Sequence, residues 1–306
     1  MTTDQPDWSG LLTEQRNPRS MNLDALSTIE AVRLMNEEDR SVAEAVATQL
    51  DKIASAVDLV VAGLRASGRL FYVGAGTSGR LGMLDASECP PTFGTDPELV
   101  RGIIAGGLEA LVRSQEGAED DRAKGASEVG EHEVGPNDIV IGIAASGVTP
   151  FVLGALEAAK IRGSATVFFT CNPDSASQVD VDVVIATAVG PEVVTGSTRL
   201  KAGTATKLVL NTISTISMVH LGKVYENLMV DVRPMSAKLH DRSRRILGAL
   251  TDLGESEAAA VIAEAGNDLK TAILQTKRAV SAETARELLK RNAGVVRRAL
   301  EDQDSL

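Results

Sequence analysis

The chain has 306 residues, 43% of them hydrophobic, and a formal charge of −11, which is enough apolar material for one sizeable α/β domain and a smaller one. That charge, with no basic run and no aromatic cluster, argues against nucleic acid and anionic membrane as partners, and no stretch approaches the ~18 consecutive apolar residues of a membrane span. Met1 to Pro6 lacks a signal-peptide pattern, so the expected location is cytoplasmic, and Cys89 and Cys171 are too few for a disulfide framework and show no metal-ligand spacing with the three histidines.

Residues 1 to about 20 read as an irregular arm interrupted by Pro6, Gly10, Asn17 and Pro18. From Asp24 to about Leu64 apolar residues recur at three- and four-residue spacing, the mark of helix, with Asp24 or Ser27 as the opening cap. Short β-rich runs near 69–74, 101–105, 138–144, 165–170 and 182–187 then alternate with helical stretches. This alternation predicts an α/β fold with a flavodoxin-like, doubly wound, five-stranded parallel sheet. A long apolar helix is expected from Ser197 or Thr198 through Val219. From about Met235 the pattern is of short helices, 236–252, 255–265, 267–278, 281–291 and 293–302, punctuated by Gly254, Gly266 and Asn292. The expected division is 1–60 for the arm and N-terminal helices, 61–225 for the sheet domain and 235–306 for a small C-terminal helical bundle, whose size favours docking onto the main domain.

Two glycine-punctuated loops follow predicted strands and open predicted helices: Gly74-Ala75-Gly76-Thr77-Ser78-Gly79-Arg80 and Ala145-Ser146-Gly147-Val148-Thr149-Pro150. Glycine there admits a ligand close to the backbone, and free N–H groups and hydroxyls at a helix N-terminus attract an anion. With neither a Walker lysine nor a GxGxxG fingerprint, the pair points to a small phosphorylated ligand rather than a nucleotide. A third segment, Gly190 to Thr204, gathers Glu192, Ser197, Arg199 and Lys201 at another helix start. Read plainly it is a capped helix, with Ser197 the N-cap and both cations in solvent; its density of glycine and threonine makes Glu192, Ser197 and Lys201 candidates for substrate binding as well. Glu88, before a Pro-Pro pair expected to end its helix, and Glu119, in an acidic run resembling a helix first turn, are the remaining acid and base candidates. Local sequence does not choose between them and surface charge. Of the histidines, His220 reads as structural, His132 as solvated and His240 as a candidate ring-opening acid.

The strings from Tyr72 to Gly82, Leu84 to Thr92 and Glu116 to Asp120 resemble the N-acetylmuramic acid 6-phosphate etherases. So do Ile104-Ala105-Gly106-Gly107, Cys171-Asn172-Pro173, the Gly190 to Lys201 segment, Asn227 to Val232, and Leu12-Thr13-Glu14 with Asn17, Leu23-Asp24 and Asn36 to Asp39. The resemblance runs from about residue 11 to the end, in pattern more than motif over the tail. It implies a sugar isomerase (SIS) domain, a homodimer, no metal or redox cofactor, and cleavage of the D-lactyl ether of a sugar phosphate. It carries a catalytic pair onto Glu88, as proton donor, and Glu119, and phosphate-binding hydroxyls onto Thr77, Ser78, Ser146 and Thr149, with Gly147 between them. One position departs: the family's second loop usually has arginine where this chain has Val148, and Lys201 and Arg80 are the candidates to replace that cation.

An acid that must stay protonated needs an apolar or like-charged setting. Ala86, Cys89 and the prolines around Glu88 offer the less polar neighbourhood. An unbroken helix would carry Glu88 about 15 Å along its axis from Ser78, too far for a hexose, so either Gly82 and the prolines shorten the helix or Glu88 completes a neighbouring subunit's site. Rival readings are an aldose-ketose isomerase and a sugar-phosphate sensor like the glucokinase regulatory protein.

Overall fold

The computed structural model describes residues 8–177, 179–232 and 237–303. Met1 to Pro6 and the expected tail start at Met235 lie outside the described residues. Two helices open the fold, α1 (Thr28–Ala47) and α2 (Leu50–Arg65). Glu30 accepts the Ser27 N–H at 2.9 Å, a capping interaction that starts α1 at the expected cap. The single predicted run is broken at Thr48 and Gln49. Thr48 folds its hydroxyl back onto the Ala45 carbonyl, and the Gln49 side chain accepts the Ala186 N–H at 3.3 Å.

The remaining elements follow as β1 (Leu70–Gly74), α3 (Gly76–Phe93), β2 (Val100–Ile104), α4 (Arg122–Glu131), β3 (Ile139–Ile143), α5 (Pro150–Ile161), β4 (Ala165–Thr170), the short α6 (Pro173–Ala176), β5 (Val183–Ala186) and α7 (Lys201–His220). The strands form one parallel sheet in the order β2-β1-β3-β4-β5, the flavodoxin-like doubly wound arrangement, as expected. β1 and β3 are buried along their whole length, which is why they read as continuous apolar runs rather than alternating ones. A core of Phe71, Val73, Val140, Phe151, Leu156 and Phe168 fills one side of the sheet. In this topology ligands bind where the strand order reverses, outside the carboxyl ends of β1 and β3.

Helix α3 corrects the reading of Gly82 and of the proline pair. It runs without interruption from Gly76 to Phe93 and includes Pro90 and Pro91. Gly82 is a packing glycine: a Cβ there would lie 2.8 Å from Cβ of Tyr72, and one on Gly102 would lie 2.4 Å from Sδ of Met83, so the helix rides close over β1 and β2. The prolines fall in the last turn and keep a helical φ, and the helix stops at Gly94, whose φ is +62°.

The chain divides into two compact units, Met1–Ser87 with Glu98–Ser214, and Glu88–Pro97 with Thr215–Leu306. The second unit holds a two-stranded hairpin, β6 (Val224–Tyr225) and β7 (Leu228–Met229), then α8 (Ala237–Leu250), α9 (Glu255–Glu264), α10 (Leu269–Arg278), α11 (Ala282–Arg291) and α12 (Val296–Glu301). These helices fall on the predicted segments. Asp268 and Ser281 cap α10 and α11 through their side chains, and Leu247, Ile273, Leu274, Leu288 and Val296 form the unit's core. Among the described residues no helix is long and apolar enough to cross a membrane.

Candidate functional site

The loops after β1 and β3 meet the switch point of the sheet. In the first, Gly74 and Gly79 approach so closely that a Cβ on Gly74 would sit 2.6 Å from the Gly79 nitrogen, and Gly76 adopts φ +51°. Only glycine lets the strand turn this tightly into α3, and the turn leaves the N–H groups of the helix's first residues facing outward. In the second loop Gly147 has φ +83°, and a Cβ there would lie 1.6 Å from the Ser175 hydroxyl oxygen. The Ser146 carbonyl accepts the Asn172 amide at 3.3 Å, and the Ala145 carbonyl accepts the Cys171 N–H at 2.9 Å, so β4's end pins the loop. Thr149 occupies the N-cap of α5 yet its side chain makes no capping bond, and Pro150 follows at the first helical position. The hydroxyl therefore remains available to an incoming anion at the positive end of the helix.

Glu119 stands in a single 3-10 turn, Ala118–Asp120, just before α4. The acidic run, read as resembling a helix first turn, lies ahead of α4, and Asp121 caps that helix, its carboxylate accepting the Lys124 N–H at 2.8 Å. Glu119 is thereby exposed into two clefts. One, of about 280 Å³, is walled by Gly76, Arg80, Glu116 and Glu119 behind the first loop. The other, of about 320 Å³, is walled by Glu119, Ser146, Val148 and Thr149, together with Trp8 and Leu11 of the N-terminal arm. Thr77 and Ser78 are half-buried and line neither cleft, and Thr77 faces the start of α7, where a Cβ on Gly203 would lie 3.6 Å from its methyl.

The third segment has a different use from the one its sequence suggested. Glu192 accepts the N–H groups of Lys201 and Ala202 at 2.9 and 3.0 Å, so it, and not Ser197, caps α7. Burial pushes its carboxyl above the ordinary value. Lys201, 3% exposed, donates to Glu38 at 2.7 Å, and Asn17 donates to the same carboxylate at 2.8 Å. Burial opposes the charge on Glu38, but the hydrogen bonds from Lys201 and Asn17, with the Lys201 and Arg19 charges, outweigh it and hold that carboxyl below the ordinary value. Lys201 is thus committed inside the fold and cannot stand in for the arginine absent at Val148. Ser197 sits half-buried in the turn ahead of the helix. The arm is tied to this segment, since Gly196 donates to the Thr13 carbonyl, Asn17 to the Pro191 carbonyl and Ser20 to the Val193 carbonyl. Sequence reasoning missed this role of the arm; the apolar Trp8, Leu11 and Leu12 within it were the available signal.

Glu88 differs from its expected setting. Its neighbours Ala86 and Cys89 point inward, whereas Glu88 is exposed on α3 along with Ser87 and the half-exposed Leu84.

Residues 41–160 match the glucokinase regulatory protein N-terminal SIS domain, and residues 124–216 match the SIS domain. The chain is 51% identical over 291 residues to the N-acetylmuramic acid 6-phosphate etherase of Synechocystis sp., covering 95% of both chains. It is 56% identical over 264 residues to that of Symbiobacterium thermophilum, covering 86% of this chain and 88% of the relative. The chain belongs to the N-acetylmuramic acid 6-phosphate etherase family. Its SIS domain carries both glycine loops and Glu119. Among solved structures it is similar to the phosphoheptose isomerase of Neisseria gonorrhoeae, at 17% identity and a TM-score of 0.45, covering 61% of this chain and 97% of that one.

Proposed function

We propose that this protein cleaves the D-lactyl ether of N-acetylmuramic acid 6-phosphate, giving N-acetylglucosamine 6-phosphate and D-lactate, in the recycling of cell-wall amino sugars in the cytoplasm. The observation that carries the reading is that one carboxylate, Glu119, walls both the cleft holding the Ser146 and Thr149 hydroxyls and the cleft behind Gly76. A sugar phosphate held at its phosphate by Ser146, Gly147 and Thr149, with Thr77 and Ser78 contributing from the first loop, extends its carbon chain past that carboxylate.

The chemistry needs two proton-transfer groups. In the open-chain sugar the C2 hydrogen is α to the aldehyde; a base removes it while an acid protonates the oxygen leaving C3, and D-lactate departs with that proton. Water then adds across the alkene, its oxygen to C3 and a proton to C2, to give the product. Glu119 serves as the base and Glu88 as the acid. Glu88 lies ten residues beyond Ser78 on a continuous helix, about 15 Å along its axis, so it acts in the site of a second subunit of a homodimer.

Two experiments test this. Turnover in heavy-oxygen water should place the label on the sugar at C3 and leave lactate unlabelled; label in lactate would mean displacement at the lactyl carbon. Mixed dimers pairing Glu88→Gln in one subunit with a Ser146→Ala, Thr149→Ala loop in the other should retain one working site. Activity no higher than that of the two parent variant homodimers would exclude sharing.

A further inference from the structure

The substrate of the proposed reaction carries two anions, a phosphate at one end and the lactyl carboxylate attached through the oxygen at C3. Resting on that reading, we infer that Arg80 binds the lactyl carboxylate and so selects lactyl ethers over plain sugar phosphates. The loops supply hydroxyls and N–H groups for the phosphate. The cleft behind the first loop is of another kind: Glu116 and Glu119 bring negative charge to its wall, and Arg80 is the one cation among its lining residues. A carboxylate entering beside two glutamates needs a cation to offset their repulsion, and a guanidinium fits a carboxylate with two parallel hydrogen bonds.

Arg80 is poised for this. It is half-buried as the fifth residue of α3, and its Nε donates to the Leu111 carbonyl at 3.1 Å, which fixes the plane of the guanidinium. Among the described residues no carboxylate pairs with it, although Glu116 and Glu119 wall the same cleft. Its terminal nitrogens are therefore left for a ligand. Glu119 is common to both clefts, so a sugar whose phosphate rests on Ser146 and Thr149 presents C2 and C3 at Glu119 and directs the C3 substituent toward Arg80. Arg80 is thus a specificity-determining residue.

The test compares wild type with Arg80→Met and Arg80→Lys against three ligands: N-acetylmuramic acid 6-phosphate, its lactyl amide, and N-acetylglucosamine 6-phosphate, which lacks the lactyl group. Calorimetric binding and D-lactate release are both read. Masking the carboxylate as the amide should weaken the wild-type interaction about 10- to 100-fold, the worth of a charge-assisted hydrogen-bonded pair. Arg80→Met should lose as much on the acid, become indifferent to the amide, and bind N-acetylglucosamine 6-phosphate as wild type does, the last showing that the site is still folded. Arg80→Lys should recover part of the preference. Equal weakening of all three ligands would assign Arg80 to the phosphate, and undiminished discrimination between acid and amide would remove it from recognition; either overturns the inference. Failure of the wild type to release D-lactate would refute the etherase reading separately, because the binding arm does not depend on turnover.

Discussion

Replacing Lys201 with methionine separates a structural role from a ligand role. The side chain is buried, its ammonium contacts Glu38 at 2.7 Å, and its loss leaves a carboxylate that is 6% exposed with Asn17 and the half-exposed Arg19 as remaining partners. Removing one member of a buried pair costs about 3–5 kcal/mol, and the help from Arg19 places this case near 3. For a chain of 306 residues, with about 2.1 cal/mol/K of unfolding entropy per residue, that corresponds to a fall of about 5 °C in Tm. The paired change Glu38→Gln with Lys201→Met should cost less than the sum of the single changes, because each alone strands the other's polar group. Differential scanning calorimetry of the wild type, the two single variants and the double variant measures this directly. An unchanged Tm in Lys201→Met with a raised KM for the sugar phosphate would refute the reasoning and return Lys201 to the substrate.

Further outcomes follow from the same geometry. Asp138 accepts the Arg69 N–H at 2.7 Å, the Arg69 guanidinium at 2.8 Å and the Gly135 N–H at 2.9 Å; burial opposes its charge, but these bonds hold its carboxyl below the ordinary value. Its stabilising contribution is therefore present above the unfolded-state pKa and is lost as pH falls through the lower folded-state value, so Asp138→Asn should flatten the acid limb of a stability-against-pH curve. Gly147→Ala meets both a positive φ and the Ser175 hydroxyl, and should raise KM while far-UV circular dichroism is unchanged, at a cost of about 1–3 kcal/mol in Tm measurements. Glu119→Gln should lower D-lactate release by about 10²- to 10⁴-fold with N-acetylglucosamine 6-phosphate binding retained; binding lost in step with turnover would make Glu119 a ligand instead of a base. Trp8, the chain's one tryptophan, lines the Ser146 cleft, so its emission should shift saturably on titration with N-acetylglucosamine 6-phosphate and not with the unphosphorylated sugar.

The parallel sheet, the two glycine loops and the tail helices were legible in the chain because each rests on local physics: continuous apolar runs for strands buried on both faces, glycine where β1 must turn sharply into α3, capping residues such as Asp268 and Ser281. The misreadings came where the packing around a residue, or its place along a helix, overrides what its type suggests. Gly82 looked like a helix breaker but is small because Tyr72 lies beneath it, and Pro90 and Pro91 looked like a stop but fall where few helical bonds remain to be lost. Lys201 looked like a free cation, and its partner Glu38 is 163 positions earlier.

By itself the sequence determined which segments become strands and helices and where glycine lets a strand turn into a helix, since those follow from neighbours within a turn or a loop. Only the tertiary structure decided which charges remain for a ligand. Glu192 and Lys201 are consumed by a helix cap and a buried ion pair, whereas Arg80 and Glu119 face open clefts. Whether a charged side chain is used within the fold depends on what packs against it, and that is set by contacts between residues distant along the chain.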